Sequence, residues 1–338
     1  MAASIKTIAE KAGVSASTVS RALRDDPRIS PETKKLVQSL AHELGYTPSQ
    51  VARSLVLKRT HTVGVVVTTV ADPYVSQVMA GVETVAHGEG YALILATSGG
   101  VPERELQAVE ILRRHRVDAL IIASSRAGDL YAELMSELQE PLVVINAEAH
   151  GPNSVSVRSD TELGARLATR HLLDLGHRRI AFLGGPAASH SSTQRRNGYL
   201  AALQEAGVRP DHRLLLPGAG EAADGRRALP WLLDLGATGV VCYNDLSALG
   251  LLAAAAADGV AVPETLSVVG IDNMPFGVLS HPPLTTVDQQ VAELGRQAMK
   301  AALAAAAGEQ VNDRVLESRL ILRGSTGKAR PMDESENL

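Results

Sequence analysis

Aromatic residues are scarce in this 338-residue chain, which has six Tyr, two Phe and one Trp. A ligand held mainly by stacking therefore finds few rings to use, and Tyr74 is the main candidate among them. A single cysteine, Cys242, excludes an intramolecular disulfide and a cysteine-based zinc site. Its place in the run Val240-Val241-Cys242-Tyr243 reads as that of a buried bystander. Long apolar runs are also missing. The longest uncharged one, Ala248 to Ala257, covers 10 positions, half of the ~20 that span a bilayer. Near the N-terminus Glu10 and Lys11 interrupt the apolar core a secretory signal requires, so a cytoplasmic location is expected and no membrane partner. Catalytic signatures are equally thin. The ten histidines form no HExxH pair, no phosphate-binding P-loop occurs, and Gly218-x-Gly220 lacks the strand–turn–helix context of a dinucleotide fingerprint. Neither catalysis nor a metal or cofactor is expected.

The chain has the length of two domains, or of one large domain with an appendage. With 45% apolar and 21% charged residues, it has the composition of a folded globular protein. The net charge of −4 hides an asymmetry. The first 60 residues carry ten basic and five acidic side chains, a net of +5, which leaves 23 basic and 32 acidic residues, a net of −9, in the remainder. Only the N-terminal segment suits a polyanion.

That segment spells three short helices. Ser4 caps a helix over Ile5 to Ala12 that buries Ile8 and Ala9 and stops at Gly13. Ser15 caps a second, with Val19, Ala22 and Leu23 inward. A third opens at Ser30-Pro31, places Leu36, Val37, Leu40 and Leu44 on one stripe, and stops at Gly45. Two helices joined by a short glycine-containing turn, the second with a polar outer face, match the DNA-binding helix-turn-helix. Ala16, Ser17 and Arg21 point outward in this reading. Small side chains let the helix approach base edges, and arginine donates two bonds to guanine. Ser4, Arg24, Arg28, Ser30, Thr33 and Tyr46 flank the groove as phosphate contacts. Beyond Pro48, Ser49 can cap a very short helix, and Leu55 can serve as an apolar wedge in a minor groove. On spacing alone an ordinary linker fits equally well.

The stretch from Ile5 to Leu23, IKTIAEKAGVSASTVSRAL, resembles the headpiece of the lactose-repressor (LacI/GalR) family of bacterial transcription regulators. The resemblance continues through Glu43-Leu44-Gly45-Tyr46-Thr47-Pro48 into the family's hinge, where Leu55 matches the hinge leucine, and then through nearly the whole chain. Ser49 replaces the usual asparagine, a change between two good helix caps.

From Thr62 onward, short β-branched runs alternate with helical ones: Val63 to Val67, Ala92 to Leu95, Ala119 to Ile122, Leu142 to Ile145, Ile180 to Leu183, Gly239 to Tyr243 and Leu266 to Gly270. This pattern indicates parallel sheets covered on both faces, in two doubly wound halves. Ligands bind beyond the carboxyl ends of such strands. The loops there supply Thr68, Asp72, Tyr74, Asn146, Ser189, Ser191, Arg195, Asn244, Asp245 and Asp272, a set suited to a small polar or hydroxyl-rich molecule. Any one Asn or Asp among them is also a natural turn former or cap.

The resemblance assigns the same loops to effector binding, through Arg195, Asn244-Asp245 and Asp272, and implies a fold like that of periplasmic sugar-binding proteins. Gly218-Ala219-Gly220-Glu221 departs from it, because many members place there an aromatic that stacks on the effector. The implied organisation is a headpiece over 1–47, a hinge over 48–60 and an effector-binding core over 61–326. The core's first subdomain takes about 61–158 and 288–318, and its second about 159–287 and 319–326. A crossover at Pro282 to Val287 precedes a returning helix, Gln289 to Ala307, and a polar tail covers 327–338. That tail lacks a leucine heptad, so a homodimer is expected. The expected function is that of a homodimeric repressor that binds a palindromic operator in double-stranded DNA and is released by a small polar effector of the sugar class. The alternatives are a corepressor-dependent repressor or activator with a non-sugar effector and, more remotely, a solute-binding or sugar-processing protein.

Overall fold

The computed structural model describes residues 4–46, 59–123, 138–149, 151–187 and 189–330. Contacts divide the chain into two units, 1–60 and 61–338.

In the first unit, helices α1 (Ile5–Ala12), α2 (Ala16–Ala22) and α3 (Pro31–Glu43) surround a core of Ile8, Ala9, Val19, Ala22, Val37 and Ala41. Each helix starts on a serine whose Oγ accepts a backbone N–H: Ser4 from Thr7 at 3.2 Å, Ser15 from Thr18 at 3.1 Å and Ser30 from Thr33 at 3.3 Å. Gly13 ends α1 at φ +67°, a left-handed conformation natural for glycine. Leu36 departs from the expected stripe. It is exposed, and Ala41, one turn beyond Val37, takes the inner position instead. The proposed hinge leucine, Leu55, lies outside the described residues.

The second unit contains two six-stranded sheets. The first has the order β11-β5-β4-β3-β1-β2, built from β1 (Thr62–Val67), β2 (Ala92–Thr97), β3 (Ala119–Ala123), β4 (Leu142–Ile145), β5 (Ser154–Ser159) and β11 (Arg314–Leu316). All its pairings are parallel. The second has the order β12-β10-β9-β8-β6-β7, from β6 (Ile180–Leu183), β7 (Leu215–Leu216), β8 (Gly239–Cys242), β9 (Ser267–Ile271), β10 (Thr285–Asp288) and β12 (Arg319–Ile321). Here the edge strand β12 runs antiparallel to β10, an exception to the expected all-parallel pattern.

Helices α4 (Pro73–Gly88) and α10 (Val291–Ala306) cover one face of the first sheet, and α5 (Pro102–Arg114) covers the other. The second sheet lies between α6 (Thr161–Asp174) with α7 (His190–Glu205) and α8 (Ala222–Asp234) with α9 (Asp245–Ala257). Both sheets are therefore doubly wound, and the strands β1, β3, β4, β6 and β8 read as continuous apolar runs because both of their faces are buried.

The chain passes between the halves three times, at Ser159–Thr161, at Asp288–Val291 and at Leu316–Arg319. Side chains lace these passages together. Ser159 Oγ donates to the Gln289 carbonyl at 2.6 Å, Gln289 Nε2 donates to Thr161 Oγ1 at 3.1 Å, Ser318 Oγ donates to the Asp160 carbonyl at 2.7 Å, and Gln290 Nε2 donates to the Glu317 carbonyl at 2.9 Å. The first residues of the polar tail, Gly327 to Arg330, are bonded to the second half. The Gly327 carbonyl bonds His177 Nε2 at 3.0 Å, the Ala329 N–H donates to the Leu175 carbonyl at 2.9 Å, and Arg330 Nη2 donates to Thr265 Oγ1 at 3.0 Å.

Candidate functional site

In the first unit, Ala16, Ser17 and Arg21 are exposed on α2, whose opposite face is anchored by Val19 and Ala22. Ser15 caps the start of that helix by accepting the Thr18 N–H, and its hydroxyl also meets Ser17 Oγ at 2.7 Å. Of the flanking residues, Ser4 and Ser30 have their hydroxyls engaged in caps. Thr33 Oγ1 adds a 2.9 Å bond to Ser30. Arg24 Nε donates to the Ser20 carbonyl at 3.1 Å. Tyr46 packs half-buried against the helical core. Arg28 is held differently from the others: its Nε and Nη2 donate to the two oxygens of Asp26 at 2.9 and 2.6 Å. The Arg28 guanidinium holds the Asp26 carboxyl far below the usual range.

In the second unit, Thr68, Tyr74, Asn146, Ser189, Ser191, Arg195, Asn244 and Asp272 all line one cavity of about 90 Å³, joined by Asp72, Pro186, Ala219, Gly220 and Tyr243. The first sheet supplies Thr68 and Asn146 from the ends of β1 and β4. The second supplies Tyr243, Asn244 and Asp272 from the ends of β8 and β9, with Arg195 from α7. Nine of the ten loop positions read from the sequence, Asp72 among them, therefore converge where the strands of doubly wound sheets end, while Asp245 does not line the cavity.

Arg195 lies at the centre and is 3% exposed. Its Nη2 donates to Asp272 Oδ1 at 3.0 Å and to Gln289 Oε1 at 2.9 Å, Nη1 donates to the Tyr243 carbonyl, and the guanidinium sits 4.4 Å from the centre of the Tyr243 ring. Nε is buried and has no hydrogen-bond partner among the described residues. Burial opposes the charge on Arg195, yet Asp272 and the tyrosines keep its pKa above the ordinary arginine value. Burial pushes the Asp272 carboxyl up to about 7, with Asp245 and Asp72 adding to the rise and Arg195 opposing it. Asp245 is buried behind the pocket, where its carboxylate accepts the Met274 N–H at 2.6 Å and the Thr286 hydroxyl, and burial raises it to about 6.

The backbone is strained at this site. Asn146 has φ +53° and Asp272 φ +122°, conformations that non-glycine residues seldom take and that cluster at ligand clamps. Asn146 Oδ1 accepts the Ser159 N–H at 2.9 Å while Nδ2 donates to the Tyr74 hydroxyl at 2.7 Å, which orients the Tyr74 ring. Asn244 is a cap as well as a wall residue: Oδ1 accepts the Ser247 N–H at 2.9 Å and Nδ2 donates to the Gly220 carbonyl at 2.8 Å. Asp72 likewise caps α4. Ser189, at the N-terminus of α7, makes no such capping bond.

Two contributors escaped the sequence reading. Tyr243 reads there only as the last residue of an apolar strand, and Gln289 only as the start of a returning helix. Tyr243 also accounts for the glycines opposite. A Cβ on Gly220, at φ +81°, would stand 2.9 Å from the Tyr243 ring, and one on Gly185 would collide with it. The ring fills space on that side of the pocket, where the residues at 218 to 220 are Gly, Ala and Gly.

Comparison with known proteins agrees with both units. The model of the lacI family of bacterial regulatory proteins matches residues 4–49, and that of the periplasmic binding protein-like domain matches 169–326. The HTH-type transcriptional repressor PurR of Mannheimia succiniciproducens is 33% identical over 96% of this chain and 99% of its own. A crystal structure of the lac repressor dimer bound to operator and the anti-inducer ONPF superposes with a TM-score of 0.86 at 28% identity, covering 97% of this chain and 100% of that one. The transcriptional regulator CelR in complex with cellobiose gives a TM-score of 0.73 at 30% identity, covering 96% and 99%. The chain, with its helix-turn-helix and its periplasmic-binding-protein-like core, belongs to the lacI family of bacterial regulatory proteins and is a DNA-binding transcriptional repressor with a ligand-binding domain.

Proposed function

We propose that this repressor works in the cytoplasm as a homodimer, without catalysis, placing one α2 in each half of a palindromic operator and releasing the operator when a small polar effector of the sugar class binds around Arg195. Ala16, Ser17 and Arg21 read bases. Ser4, Arg24, Arg28, Ser30, Thr33 and Tyr46 hold phosphates, and Leu55 is the hinge wedge. Thr68, Tyr74, Asn146, Ser189, Ser191, Arg195, Asn244 and Asp272 hold the effector. The observation that carries this reading is the convergence of loops from both sheets on one buried arginine. The complexes of the lac repressor and of CelR with their ligands support the same use of the fold.

A molecule that touches Tyr74 and Asn146 on one side and Arg195 and Asp272 on the other binds best when the two halves approach each other. Its preference for that arrangement is what shifts the protein's state. Tyr243, whose ring centre lies 4.4 Å from the Arg195 guanidinium, is the aromatic residue on the side of the pocket where the chain has none at Gly220. The subdomain boundaries fall at the three crossovers, and a coupling of ~1–3 kcal/mol between sites corresponds to a ~5–150-fold change in operator affinity.

Selection of bound sequences from randomised duplex DNA tests the reading. Enrichment of a two-fold symmetric site supports it, and recovery of no sequence above background contradicts it. Repeating the selection with sugars present reads the sign, because a corepressor would tighten binding where an inducer loosens it.

A further inference from the structure

The cleft continues beyond the inner pocket. Asn146 and Ser191 also line a second cavity of about 600 Å³, so the two spaces meet at these side chains. The outer cavity is walled by β5, the first crossover, α6 and the first turn of α7. It is far larger than a monosaccharide seated at Arg195 would need.

Arg158 stands in this wall, half-buried, and among the described residues its guanidinium has neither an ion pair nor a hydrogen bond. The other arginine of this lining differs: Arg166 pairs with Glu205 at 3.3 Å. A partly desolvated cation without a partner is unfavourable unless something supplies the missing charge. The acidic residues nearby do not fill that role. Glu148 and Glu162 are exposed, and the Asp160 carboxylate accepts the Leu163 N–H at 3.0 Å as the cap of α6. On the opposite side, His190 and Ser191 open α7, a 16-residue helix with no acidic residue in its first turn and no side-chain cap, so its positive end is turned to the same space.

We propose that the effector is a polyhydroxylated molecule bearing an anionic oxygen group, a phosphate or a carboxylate, and that Arg158 pairs with that group in the outer cavity while the body of the molecule sits at Arg195. This rests on the effector-pocket reading above. The planar guanidinium suits such a group because it can donate two parallel hydrogen bonds to it.

The test is calorimetric titration of the full-length protein with matched ligands: glucose against glucose 6-phosphate and gluconate, and ribose against ribose 5-phosphate. One anionic member should bind at least about tenfold more tightly than its neutral partner, the scale of a charge-assisted contact. Arg158→Gln should collapse that preference to about onefold, Arg158→Lys should restore part of it, and Arg195→Ala should weaken both members. The phosphate and carboxylate arms tell the two sources apart. If neutral sugars bind as tightly as anionic ones, or if the preference survives Arg158→Gln, the anion subsite is wrong while the inner pocket stands. If the folded, DNA-binding protein takes up none of the ligands, both readings lose their support.

Discussion

Arg195 and Gln289 are joined by a 2.9 Å hydrogen bond, and through it the floor of the pocket is tied to a passage between the two halves. The same Gln289 amide donates to Thr161 on another passage, and its carbonyl accepts from Ser159. A ligand that moves the guanidinium therefore acts on two of the three crossovers at once. Gln289→Leu removes both side-chain bonds and leaves Arg195 and Thr161 short of partners, which should cost about 1–3 kcal/mol of stability. It should also bring the effector-dependent change in operator affinity close to onefold. Gln289→Glu keeps an acceptor for Arg195 and for the Thr161 hydroxyl and should retain most of the response. Operator titrations of both variants, with and without effector, check this. An undiminished response in Gln289→Leu would show that the signal travels elsewhere.

The buried carboxyls predict a pH dependence whose sign can be worked out. Asp272 and Asp245 are raised to about 7 and about 6, above their unfolded value of 3.8. The folded core thus binds more protons than the unfolded chain between those limits, and the stability these groups contribute is complete below pH ~4 and lost as pH rises to ~7. Asp272→Asn should flatten that slope. Melting temperatures at pH 5, 6, 7 and 8 for the two proteins would reveal it, and parallel curves would remove Asp272 as the titrating group.

On the headpiece, Arg21 and Arg28 should behave differently. Arg21→Ala should cost ~1–3 kcal/mol and relax preference at one base pair per half-site. Arg28→Ala should weaken all sequences alike and reduce the salt slope by ~0.9 for a lost phosphate contact. Because Asp26 grips Arg28 with both oxygens, Asp26→Asn should release it and raise nonspecific affinity. Salt titrations on random-sequence DNA decide the point, an unchanged affinity in Asp26→Asn arguing against Arg28 as a phosphate contact.

Close helix packing makes a fourth site vulnerable. A Cβ on Gly250 would run into the backbone of Ala222, and one on Gly225 into the backbones of Ser247 and Leu251, because α8 and α9 touch through these glycines. Gly250→Ala should destabilise the core by ~1–3 kcal/mol or more. It should also displace the start of α8 beside Gly220 and weaken effector binding. Thermal melting and effector titration of this variant test the pair of effects together.

The main strands and the pocket residues were legible because both halves repeat an apolar strand followed by a polar loop residue. Leu142–Ile145 and Ile180–Leu183 appear at their expected bounds. What escaped was short or locally polar. Strand β5, Ser-Val-Ser-Val-Arg-Ser, alternates polar residues although Ser156 and Ser159 are buried and bonded. Strands β11 and β12 have three residues each and are held at sheet edges by partners far away in sequence. Leu36 reads as core from its spacing, yet on α3 it is Val37 and Ala41 that are buried against Ile8, Ala9, Val19 and Ala22 in the small space between three short helices. Tyr243 and Gln289 gain their importance only from what tertiary contact places beside them, and no local pattern carries that information.

The most direct measurement is the affinity of the full-length protein for its selected duplex before and after addition of pooled sugars and sugar phosphates, made in parallel with Arg195→Ala. A change of at least about fivefold in the native protein, absent in Arg195→Ala, is the expected result. An affinity that no component of the pool alters, or a response that persists without the arginine, would contradict control of DNA binding through this pocket.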